Sequence, residues 1–296
     1  MKNFEYFAPG SLPEALTLLD NIQQTAKVLA GGTDLIAQMR AGRAQPAVII
    51  DIKNIPELNR LEWDTDRTLH IGAAVPVSTV VGFPHFQQRL SMLHQGCSLI
   101  GSTRVRNRAT IGDNICNAAP SADSAPALLC LGAKALIAQQ QGTHIVPIED
   151  IFRGPGKTSL VANELLVELE IPVAPARSAG CYLRHTPREE MDIAVVGVAA
   201  FLVLAPRGKT CQEARIALGA VAPTPIRVPA AEALLAGKIP NKDLITSVAE
   251  KTAEAASPIS DIRSSAEYRR ELVSVLTRRA LQAACATLNI QIEGGD

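Results

Sequence analysis

The sequence predicts an α+β protein of two domains, and three observations carry that expectation. The chain has 296 residues, 47% of them hydrophobic, which is more than one core usually holds, since single cores stop growing near ~250 residues. Short strand patterns alternate with helical ones up to Pro172, where the stretch Pro172 to Pro175, followed by Arg177 and Ser178, reads as a linker. Beyond it strand patterns come first and helical patterns second, the order of a separate α+β domain. The expected division is 1–175, with subdomains at about 1–56 and 57–175, and a smaller C-terminal domain at 176–296.

The elements follow in order. In FAPGSLPEALTLLDNI, Ser11 is a cap candidate, Pro13 sits in the first turn, Glu14 stands three residues after Ser11, and Ala15, Leu18, Leu19 and Ile22 form an apolar stripe; this predicts a surface helix. AKVLAGG (26 to 32) and PAVIIDI (46 to 52) are short apolar runs that predict buried strands, with a short helix in LIAQMRAG between them. Strand, helix, strand in so few residues is a small α/β unit. From Leu61 come TLHIGAAVPVSTVVG, a helical stretch through RLSMLHQGCSLIG, and AKALIAQQQGTHIVPIEDIF, which alternates strand and turn. LLVELEIP (165 to 172) is expected as an alternating strand. After the linker, CYLRHTPREE, IAVVGVAAFLVLA and EARIALGAVAPTPIRV predict strands, and 229 to 288 predicts mostly helices rich in Ala, Leu, Glu, Lys and Arg.

Composition removes several function classes. Lys plus Arg equals Asp plus Glu at 29 each, so the excess positive charge that drives phosphate-backbone binding is missing and nucleic acid is not expected as a partner. No apolar run approaches the roughly 20 residues that span a bilayer. The N-terminal stretch is interrupted at Pro9-Gly10 and carries Glu5 and Glu14, unlike an export signal, so a cytoplasmic location is expected. The six cysteines, at 97, 116, 130, 181, 211 and 285, form no CxxC pair and have no His at ligand spacing; neither a zinc site nor a cysteine-ligated iron–sulfur cluster is expected. They read as small buried hydrophobes, with Cys116 the one placed beside a candidate site.

Two stretches could carry chemistry. In LAGGTDLI (29 to 36) a buried strand runs into Gly31-Gly32-Thr33-Asp34 and then a helix. Paired glycines let main-chain N–H groups converge on an anion, and a helix N-terminus adds partial positive charge, so a pyrophosphate would fit. The same residues also read as a tight turn with Thr33 or Asp34 capping the helix. GxGxxG is absent, because its third position would be Thr33. In ATIGDNICNAAPSADSAPALLCLGA (109 to 133), Thr110 to Asn114 offers a second small-residue turn, and Asp123 precedes an apolar run. An aspartate accepts hydrogen bonds only, which suits a hydroxyl-bearing ligand; equally, Asp123 or Ser124 could cap the helix begun at Pro126.

Two other motifs are set aside. GPGKTS (154 to 159) is no phosphate-binding loop of nucleotide hydrolases, because that loop needs glycine where Ile151 stands; an ordinary Pro-Gly turn is expected. Arg188, Glu189, Glu190 and Asp192 near His185 read as a solvated loop, with no nucleophile paired to a base. No catalytic residue is assigned in this chain.

Taken together, Ala30-Gly31-Gly32-Thr33-Asp34, the run Arg106 to Asn114, the sequence Asn117-Ala118-Ala119-Pro120-Ser121-Ala122-Asp123-Ser124, and Met191-Asp192-Ile193-Ala194 resemble the FAD-binding (medium) subunit of the molybdenum hydroxylases, the group that includes xanthine dehydrogenase and carbon monoxide dehydrogenase. The resemblance covers essentially the entire chain, and GPGKTSL with AVAPTPIR is most similar to the bacterial xanthine dehydrogenase flavin subunit. It implies a two-subdomain FAD-binding fold of the vanillyl-alcohol-oxidase/PCMH-like kind in 1–175, followed by the C-terminal α+β domain. It also implies site residues: Lys27, Val28, Leu29, Ala30, Gly31, Gly32, Thr33, Asp34 and Leu35 around the pyrophosphate; Ile100, Ala109, Thr110, Asp113 and Asn114 along the cofactor; Asp123 through its carboxylate; Leu166 or Val167 at the adenine or ring side; and Arg184 near the flavin.

The implied activity is electron relay. An iron–sulfur small subunit and a molybdopterin large subunit are the implied partners, with FAD passing electrons to NAD or another acceptor. A carbon monoxide dehydrogenase or aldehyde oxidase-type medium subunit, a stand-alone FAD-dependent oxidoreductase, and an assembly or sensing protein without flavin are the alternatives. Two departures stand out: members of the group commonly have Gly-Gly-Asn where this chain has Gly112-Asp113-Asn114, and often Lys where it has Arg184. A carboxylate near a phosphate repels unless it turns to solvent or caps an amide.

Overall fold

The computed structural model describes residues 2–22, 25–66, 68–188 and 191–292. They form two compact units that interleave along the chain: Met1–Phe83, Gly101–Ala118 and Ala133–Pro172 in the first, and Pro84–Ile100, Ala119–Gly132 and Val173–Asp296 in the second. Glu189 and Glu190 lie outside the described residues.

The first unit holds a parallel three-stranded sheet in the order Glu5–Phe7, Val48–Asp51, Ala26–Leu29. Val48–Asp51 is the middle strand and all four of its residues are buried, as its unbroken apolar run requires. Helix Thr33–Arg40 connects the two long-predicted strands. Strand Glu5–Phe7 is an addition: three residues without an apolar run give no periodic signal. Helix Leu12–Ile22 buries Ala15, Leu16 and Leu19. The Ser11 cap is weak, since Oγ stands 3.4 Å from the Glu14 amide, and the Glu14 carboxylate instead accepts the Gly10 N–H at 2.9 Å.

A second sheet in this unit is antiparallel, in the order Leu61–Trp63, Leu69–Gly72, Leu165–Ile171, Lys134–Gln139, Gly142–Pro147. Leu165–Ile171 is paired on both edges, and every residue but Glu170 is buried; the expected alternation fails because a central strand has no solvent face. Glu168 is accommodated there because His70 Nδ1 lies 2.8 Å and the Arg60 guanidinium 3.3 Å from its carboxylate. Asp64 lies 3.2 Å from the other ring nitrogen of His70. Burial pulls the His70 imidazolium down, but Glu168 and Asp64 outweigh it and its pKa is raised. Ligand atoms of His70, Glu168 and Glu170 lie within 4.8 Å of one another, and the Arg60 guanidinium already lies 3.3 Å from both His70 Nδ1 and Glu168 Oε1.

The second unit is a four-stranded antiparallel sheet, Ser178–His185, Val196–Leu204, Cys211–Gly219 and Ile226–Arg227. All nine residues of Val196–Leu204 are buried, because both faces are covered. Val196, Val198, Ala200, Leu202 and Leu204 join a core with Val273, Leu276, Ala280 and Leu281 of helix Ala266–Thr287 and with Ile245 and Val248 of helix Lys242–Glu254. The alternate face meets the two segments contributed from earlier in the chain: Gly180 packs against Phe201 and Met92, and Gly219 against Pro126. Helices Ser91–Ser98 and Ala125–Leu131 therefore serve this sheet. Five cysteines are buried and Cys116 is exposed. Among the described residues, no helix is long and apolar enough to cross a membrane.

Candidate functional site

Strand Ala26–Leu29 delivers the chain to Gly31 and Gly32 inside the first unit. Gly32 adopts φ 73, the left-handed region that glycine enters without a Cβ clash, and it is the N-cap residue of helix Thr33–Arg40, with no side chain capping that helix. The tight turn is present, but neither Thr33 nor Asp34 caps it. Gly31 is small for another reason: a Cβ there would stand 2.1 Å from the Arg108 carbonyl oxygen and 2.8 Å from Ala109 Cα. The two glycine-bearing turns, far apart in sequence, are in backbone contact.

The facing turn is built by Thr110, whose Oγ1 accepts the Asp113 N–H at 2.8 Å and starts helix Ile111–Cys116. Gly112 lets this helix approach Ala73, since a Cβ would lie 2.6 Å from the Ala73 oxygen. The Asp113 carboxylate then reaches across and accepts the Gly31 N–H at 2.7 Å and the Gly32 N–H at 3.3 Å through the same oxygen, Oδ2. Asn117 adds a second link, donating to Asp34 at 3.2 Å and accepting from Gln38 at 3.3 Å. Burial raises the Asp113 pKa above the ordinary carboxylate value and the charge of Asp34 adds to it, while the glycine amides oppose both.

Between these turns lies a cavity of about 480 Å³, the size of a small-molecule site. Of the expected residues, Lys27, Val28, Ala30, Gly32, Asp34, Leu35, Asp113 and Leu166 line it. Leu29, Gly31 and Thr33 belong to the same turn, Ala109, Thr110 and Asn114 to the facing one, and Val167 continues the Leu166 strand, its carbonyl accepting the Ala73 N–H at 2.8 Å. The wall also includes Gln38, Cys116, Asn117, Gly156, Thr158, Leu160, Val161, Ala162 and Glu164, which sequence reasoning did not assign. Several come from GPGKTS and its continuation: strands Phe152–Gly154 and Lys157–Thr158 form a two-stranded sheet whose tip reaches the cavity. The available signal was its glycine-rich turn, set aside once the nucleotide-hydrolase motif failed.

Ile100, Asp123 and Arg184 belong to the second unit. There the Asp123 carboxylate is buried and accepts the Tyr182 hydroxyl at 2.8 Å and the Arg184 guanidinium at 2.6 Å. The Arg184 side chain is only 6% exposed. Burial pushes the Asp123 carboxyl up to about 6, and Arg184 and Tyr182 restrain it from rising further. Gly96 presses against the Asp123 carbonyl, where a Cβ would stand 2.5 Å away. Asp123 heads an apolar helix, as expected, but helix Ala125–Leu131 has no side-chain cap.

Paired glycine amides that hold an anion at the wall of a cavity, on an α+β scaffold without GxGxxG, make the class a site suited to an anionic small molecule. Comparison with known proteins makes that class specific. The FAD binding domain in molybdopterin dehydrogenase matches residues 2–174, and the CO dehydrogenase flavoprotein C-terminal domain matches residues 182–284. The chain is 35% identical to the xanthine dehydrogenase FAD-binding subunit of Escherichia coli over 95% of this chain and 96% of that one. It is also 35% identical to the carbon monoxide dehydrogenase medium chain of Hydrogenophaga pseudoflava, over 96% and 97%. The solved carbon monoxide dehydrogenase of the latter organism superposes with TM-score 0.92, covering 96% of this chain and 98% of that one at 35% identity. Quinoline 2-oxidoreductase from Pseudomonas putida follows at 0.90, 98% and 100%, with 30% identity. The chain belongs to the FAD-binding subunit family of the molybdenum hydroxylases, and its cofactor is FAD.

The residues present fit that cofactor. The Gly31 and Gly32 amides already coordinate a carboxylate oxygen, so this backbone binds an anion, and they stand at the wall of a cavity of small-molecule size.

Proposed function

We propose that the chain works as an electron relay whose FAD diphosphate is held by the amides of the Gly31–Gly32 turn against the Thr110–Asn114 turn. The observation that carries this is the convergence of two glycine amides on one anion at the wall of a single cavity. When bound, FAD supplies a ring that takes up and gives back one or two electrons. This chain's residues bind and orient it. Lys27 would offset diphosphate charge, Leu35 and Leu166 would exclude water, and Ala109 and Asn114 would hold the facing turn in place. Within the second unit, Ile100 and the paired Asp123 and Arg184 are proposed as further cofactor residues.

The proposal extends to partners and boundaries. An iron–sulfur small chain and a molybdopterin large chain would pass electrons in, and NAD is the proposed final acceptor, in a cytoplasmic complex. Support comes from relatives that are medium chains or FAD-binding subunits by name, and from the absence of any cysteine grouping in this sequence that could hold a cluster. For a division at 175/176, support comes from the matched spans 2–174 and 182–284. Purification of the native complex tests all of this: one FAD per copy of this chain, iron–sulfur and molybdenum chains in the same peak, and flavin absorbance bleached by NADH are expected. Full NADH turnover by this chain alone would instead make it a stand-alone oxidoreductase.

A further inference from the structure

Asp113 stands where the cofactor's own negative charge is expected. Its Oδ2 takes the Gly31 N–H at 2.7 Å and the Gly32 N–H at 3.3 Å, the two donors assigned above to the diphosphate. This is no local cap, because 82 residues separate Asp113 from Gly31. Nor does the side chain turn away to solvent. A Cβ built on Gly31 would stand 2.6 Å from that same oxygen, so the carboxylate fills the notch that the missing side chain leaves. An amide N–H holds one strong acceptor at a time, and a second anion brought beside a partly buried carboxylate meets repulsion that water screens poorly.

We infer that the Asp113 carboxylate is an internal competitor for the Gly31–Gly32 amides, an anion of the chain that the cofactor's diphosphate must displace before it can bind there. The contact has two consequences. Without cofactor, the carboxylate ties the two turns together and keeps two part-buried amides satisfied. With cofactor, the hydrogen bonds gained by the diphosphate are offset by those lost from Asp113, so Asp113 sets the affinity for flavins that carry a diphosphate and leaves the flavin ring untouched. Asp34 lies close enough to raise the Asp113 pKa and Asn117 holds Asp34, so the negative charge that a diphosphate meets there is not that of Asp113 alone. Lys27 is the cation among the cavity-lining residues.

This inference rests on the cradle proposed above, and its test separates the two. The flavin-stripped full chain is titrated with FAD and with riboflavin, which lacks the diphosphate, and flavin fluorescence is followed for the native chain, Asp113→Asn and Asp113→Gly. Asparagine keeps an acceptor oxygen at the glycine amides without the charge, and glycine removes both. Each substitution is expected to tighten FAD by roughly tenfold and to leave riboflavin unchanged. Hydrogen exchange over 29–36 supplies the second readout: Asp113→Gly should exchange faster than the native chain, and FAD should restore its protection. Equal or weaker FAD binding in both variants, with protection of 29–36 intact on binding, overturns the competitor and keeps the cradle. If FAD binds without protecting 29–36 in any variant, the cradle itself falls. Equal tightening of FAD and riboflavin would assign Asp113 to the ring, and the competitor falls again.

Discussion

Two aspartates on neighbouring stretches of the chain, Asp113 and Asp123, meet opposite fates. Asp113 sits at a cavity wall and accepts from main-chain amides. Asp123 is buried in the second unit and accepts from a tyrosine hydroxyl and an arginine. The first contact is between an anion and neutral dipoles, so another anion can replace it. The second is a neutralised pair, in which losing either partner strands a charge away from water. An anion held by backbone can be exchanged for a ligand's anion, and one held by a counter-charge is itself held in place.

The strongest way to break this contrast is Arg184→Met. It leaves the Asp123 carboxylate and the Tyr182 hydroxyl buried without their cation, and a loss of about 3–5 kcal/mol is expected by urea denaturation; a loss below about 1 kcal/mol would make the pair dispensable. Asp123→Asn reads the same cluster through pH. The folded-state carboxyl, at about 6, binds its proton more tightly than the unfolded one near 3.8. Its contribution is therefore complete below about pH 4 and is lost as pH rises through about 6. Between those limits the asparagine variant should gain on the native chain by on the order of 3 kcal/mol, and parallel stability curves would contradict the shift. Gly31→Ala sharpens the contrast from the other side. Its Cβ must push back the Arg108 carbonyl, at a cost of about 1–3 kcal/mol in stability, while FAD affinity falls at least about tenfold. Equal FAD binding would deny the turn its role.

The smallest expected effect lies in the five-stranded sheet. His70, facing Glu168, Asp64 and Arg60, has a raised pKa, so its contribution is present below the unfolded value and fades as pH rises through the folded one. His70→Gln should cost about 1 kcal/mol at pH 6 and less at pH 8, read from thermal melts; a larger cost at pH 8 would reverse the sign.

What could be read in the sequence follows the range of each interaction. The strands at 26–29 and 48–51 and the turn at Gly31–Gly32 were legible, because apolar runs and paired glycines report on their own backbone. The cofactor was legible through four motifs in order. Asp113 could be seen as out of place, but its partner lies 82 residues away, and no local pattern encodes that distance. Likewise Asp123 could be seen at the head of an apolar helix, but Tyr182 and Arg184 lie 59 and 61 residues on. Glu168 looked like the outward position of an alternating strand; two paired neighbours and the His70–Arg60 group turned that position into buried sheet. The interleaving of 84–100 and 119–132 with the C-terminal sheet rests on which face each helix covers, a property of tertiary packing that chain order does not contain.

A crystal structure of the full chain with FAD bound tests the central claim most directly. The diphosphate is expected within hydrogen-bond distance of the Gly31 and Gly32 amides, with the Asp113 carboxylate moved off them and the cavity walled by Leu35, Leu166 and the 156–164 segment filled by the cofactor. A diphosphate seated away from both turns, with Gly31 still donating to Asp113, would contradict it.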